Sequence, residues 1–173
     1  MPAVRAEINK QIARRTDYKA CDRNSLIVAA SQTGVVYDPL LSMAIGDLAL
    51  NDYEGDTIFP SSFQVNYTLF NTDNSAVHSM RVIIGQSHME FIPPSSELLQ
   101  QNGTAQVGVM PNNLSYSRNH KIFHDKTWNL KPVGSGGSSV DHRVYISGKR
   151  MRKIQFSATT SGSVTRNGIF IAI

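Results

Sequence analysis

Four cations fall within five residues at Lys149-Arg150-Met151-Arg152-Lys153. Charges so close repel one another unless water screens them or an anion lies beside them. A phosphate backbone would supply that anion and release counterions on binding, which gives sequence-independent, salt-sensitive association. A solvated loop is the simpler alternative. Phe123, Trp128 and Tyr145 precede this segment, and such rings can stack on bases, although strand aromatics more often anchor a core or an interface.

Other chemistries find no support. Gly134–Ser139 lacks the Gly-x-Ser-x-Gly spacing of a nucleophile elbow. The run from Gly103 to Gly108 continues with Val109-Met110 rather than Lys-Ser/Thr, so it is no phosphate loop. His120 and His124 are four apart in a segment that reads as strand, where they would share a face about 13 Å apart, too far for one zinc ion. They are expected as surface histidines beside Lys121 and Lys126. Asp52-Tyr53-Glu54-Gly55-Asp56 can offer oxygens to calcium but lacks the remainder of a calcium loop. It reads as an acidic turn, with calcium at a subunit contact left open. The carboxylates between residues 38 and 97 form no pair set off by an apolar environment. No catalytic residue, metal site or cofactor is nominated, and the lone Cys21 reads as a structural thiol.

Charge is divided unevenly along the chain. Residues 1–23 carry six Lys/Arg against three acids, residues 24–117 one against eight, and residues 118–153 nine against two. Two like-charged segments suggest one basic face turned to a polyanion. Only 17% of the 173 residues are charged, below the typical quarter, which suits either a surface partly covered by other copies of the chain or a small β-domain with Ser, Thr and Asn on its exposed strands. The N-terminus has no apolar signal region, and no run reaches the roughly 18 apolar residues of a membrane span. These features lead us to expect a protein kept in a soluble, reducing compartment.

The elements that must position these residues are mostly strands. Phe63–Leu69 alternates apolar and polar residues, so one face is buried and the other wet. Met80–Ile84 follows the turn cluster Asn71–Ser75. Further strands are expected at 25–30, 120–123, 127–130, 140–147, 153–158 and 168–173. Pro93-Pro94 before Ser95–Gln100, with Asn102-Gly103 beyond, predicts about two turns of helix. Residues 1–23 form a basic arm in which Val4, Ile8 and Ile12 recur at helical spacing. Residues 24–173 form one all-β antiparallel sandwich with a short helix and long loops.

Several motifs together resemble the small jelly-roll coat proteins of circular single-stranded DNA viruses and of plant satellite RNA viruses. These are Gly46-Asp47, then Glu54-Gly55-Asp56-Thr57-Ile58 before the alternating strand, then Arg81-Val82-Ile83-Ile84. The most specific is Lys121-Ile122-Phe123-His124-Asp125-Lys126-Thr127-Trp128-Asn129-Leu130, similar to that family's basic-x-apolar-x-Asp-Lys-Thr-aromatic-x-Leu strand. The likeness covers about residues 20–173 as a pattern rather than close identity. It implies a two-sheet jelly roll, a capsid shell of about sixty copies closed by symmetry, and a basic inner surface on single-stranded nucleic acid. It places the protein in the virion, and in the host nucleus or cytoplasm during assembly, with no membrane partner and no enzymatic activity. By this analogy Arg5, Lys10, Arg14, Arg15 and Lys19 face the genome, whereas Lys149, Arg150, Arg152 and Lys153 are assigned to nucleic acid by charge density alone. Glu54 stands where the family often has a basic residue, and the arm is less basic than many. The segment ending at Ile173 reads as the penultimate strand, leaving an eighth to be placed.

Two other readings stand beside this one. A non-assembling jelly-roll module that recognises carbohydrate or a receptor would show an aromatic ligand cleft. An enzyme on a β-sandwich has no residues to nominate.

Overall fold

A computed structural model describes residues 35–40, 44–45, 52–53, 57–89, 92–100, 112–113, 116–137, 139–156 and 164–173. The arm with its six cations, Cys21, the expected strand at 25–30 and the acidic residues Glu54 and Asp56 lie outside the described residues.

The chain is mostly β. Its strands are β1 (Val36–Tyr37), β2 (Ala44–Ile45), β3 (Asp52–Tyr53), β4 (Thr57–Ile58), β5 (Ser62–Phe70), β6 (His78–Ser87), β7 (His120–Leu130), β8 (Ser139–Ser147), β9 (Ile154–Phe156), β10 (Val164–Arg166) and β11 (Ile169–Ala172). A four-stranded sheet runs β1-β11-β6-β7, a three-stranded one β10-β9-β4, and β5-β8 and β2-β3 form pairs. Among the described residues only β2 and β3 run parallel.

The antiparallel pairings nest around one another. Val36 faces Ala172, Thr57 faces Gln155, Ser62 faces Ser147 and Phe70 faces Ser139. Further in, His78 faces Leu130, Ser87 faces His120, and an isolated bridge joins Leu99 to Asn112. These rungs therefore follow one long hairpin folded back on itself. The pairing of β11 with β6, Ile169 to Gln86 and Ala172 to Ile83, breaks the nesting. It brings the far end of the hairpin against its middle, which rolls the ribbon over.

Both faces of the four-stranded sheet are covered. On one, Val82 and Ile84 meet Leu69, Val144 and Ile146 of the β5-β8 pair. On the other, Ile83, Phe170 and Ala172 meet Leu98 and Leu99. This explains why Val82, Ile83 and Ile84 in the middle of β6 are all apolar although neighbouring residues of a strand face opposite ways. The helix α1 (Ser95–Leu98) is one turn, not the two expected. Adjacent positions on a helix point about 100° apart, so Leu98 and Leu99 enter the same cluster because the chain turns extended at Leu99. Among the described residues no helix is long and apolar enough to cross a membrane.

Candidate nucleic-acid interface

The basic segment is a built turn. β8 ends at Ser147, a 3-10 turn covers Gly148–Arg150, and β9 begins at Ile154. The Gly148 N–H donates to the Ser61 carbonyl at 2.8 Å. A Cβ at Gly148 would strike the carbonyl oxygens of Pro60 and Ser61, so the close approach needs glycine. Gln86, fully buried, holds the next stretch as a strand partner would. Its Oε1 accepts from the Arg152 N–H at 2.8 Å, and its Nε2 donates to the carbonyls of Arg152 at 2.9 Å and Asn167 at 2.8 Å. Asn167 adopts a left-handed φ of 58° and donates from Nδ2 to the Lys153 carbonyl at 2.9 Å. With the backbone pinned from below, Lys149, Arg150, Arg152 and Lys153 are all exposed.

Two cations that sequence spacing does not nominate join them. Lys121, at the start of β7, donates from Nζ to the Arg150 carbonyl at 3.0 Å. Arg166, at the end of β10, stands exposed beside Asn167. His88 registers the shared field. Burial holds its imidazole below the ordinary value, the Arg152 charge adds to this, Asn167 opposes it, and Lys121 and Arg166 push further down. His120 is likewise lowered, by burial and then by His88. Among the described residues the ion pairs are His78 with Asp73 and Arg81 with Asp125. No described carboxylate therefore pairs with Lys121, Lys149, Arg150, Arg152, Lys153 or Arg166. The excess of cations over 118–153 was the available signal; Arg166 enters only through the β9-β10 pairing.

The histidine expectation needs correction. Residues 120–130 form one strand, not two, and its register against β6 shifts at Ile84/Gly85, leaving Phe123 as the extra residue of a bulge. A bulge reverses the facing of the residues beyond it. His120 is buried against Phe170, whereas His124 faces the β5-β8 pair. Neither is a plain surface histidine. His124 Nε2 meets the Tyr67 hydroxyl at 3.1 Å, that hydroxyl accepts from Trp128 Nε1 at 3.3 Å, and the His142 ring lies 5.4 Å from that of His124. Burial first, then His142 and Lys126, hold His124 below the ordinary imidazole value against an opposing effect of Asp125. Among the described residues there is no cluster of three or more His, Cys, Asp or Glu suited to a metal ion.

The three aromatic candidates separate. Phe123 carries Lys121 and Arg150 over its ring, each at 5.7 Å from the centroid. Trp128 carries the Lys126 ammonium at 3.8 Å and packs against His142. Both also pack into the core. Tyr145, with 62% of its surface open, is the one whose ring is free to meet a ligand.

No family model matches the chain, and no curated protein sequence matches it.

Proposed function

We propose that this protein is the coat protein of a small icosahedral virus, a jelly roll that assembles with its own copies around single-stranded nucleic acid and has no catalytic role. A jelly roll is a long antiparallel hairpin rolled into two sheets, and the nested pairings support that reading. Taking β4 with β5 and β8 with β9, the segments β1, β4–β5, β6, Leu99, Asn112, β7, β8–β9 and β11 stand as eight strands. On this reading β11 is the last strand rather than the penultimate one.

The observation that carries the functional reading is the hydrogen-bonded turn of exposed cations without a described carboxylate partner. A fold gains nothing from holding like charges together, whereas a phosphate backbone neutralises them and releases counterions. The low overall charge agrees with burial of polar and apolar surface between copies. Lys149, Arg150, Arg152 and Lys153 are the described residues assigned to nucleic acid, and Arg5, Lys10, Arg14, Arg15 and Lys19 extend the assignment by resemblance.

Replacing Lys149, Arg150, Arg152 and Lys153 by serine tests the assignment. The variant is expected to keep its circular dichroism spectrum and lose most co-purifying nucleic acid. A variant that carries as much nucleic acid as the parent would contradict it.

A further inference from the structure

The most exposed large apolar side chain among the described residues is Phe59, with 77% of its surface open, and Tyr145 follows among the aromatics at 62%. Both stand beside the basic turn. Phe59 directly precedes Pro60 and Ser61, whose carbonyls pack on Gly148. It also follows Ile58, which pairs with Ile154, so it lies opposite Lys153 where the ladder ends. Tyr145 lies three residues before Gly148, about 10 Å along an extended strand, and pairs with Gln64.

Each ring turns away from the core beside it. Ile58 and Ile154 turn inward to a core cluster, so Phe59 and Lys153 turn outward by alternation. On β8, Val144 and Ile146 are buried while Arg143 and Tyr145 are exposed. Bare aromatic rings thus stand at both ends of the basic turn, Phe59 opposite Lys153 and Tyr145 on the strand that leads into Gly148.

We propose that Phe59 and Tyr145 are base-stacking residues, which makes the basic turn a site for unpaired nucleotides rather than for duplex. This rests on the nucleic-acid reading above and specifies its ligand. A ring left in water forgoes burial that a neighbouring core would offer. Stacked on a base it recovers that burial in any sequence, because every base presents a π-face, while adjacent lysines and arginines hold the backbone. In a duplex the bases are already stacked, and the two rings have nothing to cover.

The test measures fluorescence anisotropy of the full-length protein with three probes: an oligothymidylate of about sixteen nucleotides, an abasic strand of equal length and charge, and a duplex. Wild type is expected to prefer the thymidylate. Phe59→Ser and Tyr145→Ser should each weaken thymidylate binding roughly five- to tenfold, leave abasic binding alone and keep the salt dependence. Lys149→Ala should instead weaken both strands alike and flatten the salt dependence. If wild type binds thymidylate and abasic strand equally, or the aromatic variants match wild type, the stacking role is overturned while the charge reading stands. If wild type binds none of the probes, both fail. Aromatic variants that dissociate a larger assembly without changing strand preference would assign the rings to contacts between copies and overturn the proposal.

Discussion

Gln86 shows how one side chain can fix a functional surface. It spends its amide on the backbone of Arg152 and Asn167, so the cations above it need no help from one another to hold their places. Gln86→Leu keeps the bulk but leaves those backbone groups buried without partners, and each such group costs about 1–3 kcal/mol. Urea denaturation of this variant should show a loss of about 2–4 kcal/mol. No sequence signal marks the role, because Gln86 follows an apolar run and only the fold brings the Arg152 backbone to its amide. His124 gives the second residue-scale prediction. Its folded pKa is lowered, first by burial, so the unfolded chain takes up the proton first. The stability due to the neutral ring is complete above about pH 6.5 and is lost as pH falls through the lower folded value. His88 and His120 are lowered in the same direction. Unfolding free energy should therefore fall with acidification below about pH 6.5, and His124→Gln should make that fall shallower. An unchanged slope in the variant would place the titration elsewhere.

Elements are legible where their period is clean. The alternation of Phe63–Leu69 foretells β5 and the run at 140–147 foretells β8, each slightly longer in the structure, whereas the run at 80–84 marks only the middle of the ten-residue β6. The polar triplet His124-Asp125-Lys126 looks like a break, which splits β7 in two on sequence alone. In fact Asp125 is engaged by Arg81, whose Nε and Nη2 donate at 2.7 Å each. This pairing, helped by Asn112 and opposed by burial, holds the Asp125 carboxyl below the usual range. The bulge at Phe123 is likewise invisible to a count of two, which puts His120 and His124 on one face. The bulge explains a glycine as well. A Cβ on Gly85 would meet the Phe170 ring and the Lys121 carbonyl. Gly85→Ala should destabilise the protein by about 1–3 kcal/mol through overpacking, measured as a lowered denaturation midpoint. Gly148→Ala, blocked by two backbone carbonyls, should also disturb the basic turn and weaken oligonucleotide binding.

At the scale of the molecule, sequence composition foresees an all-β chain and a basic segment, but not the nesting that puts them together. Two-residue strands such as β1 and β4 carry no period, yet they close the hairpin against β11 and β9. Arg166 is 13 residues from Lys153 in sequence and reaches the same end of the fold only through that closure. The proposed account then has two parts, a rolled hairpin whose copies associate and a cationic end that meets phosphate. The first is tested most directly by light scattering of the purified protein during size-exclusion chromatography, with absorbance read at 260 and 280 nm. The account predicts a particle in the megadalton range with excess absorbance at 260 nm. A 19.1 kDa monomer at every salt and pH, free of nucleic acid, would contradict it.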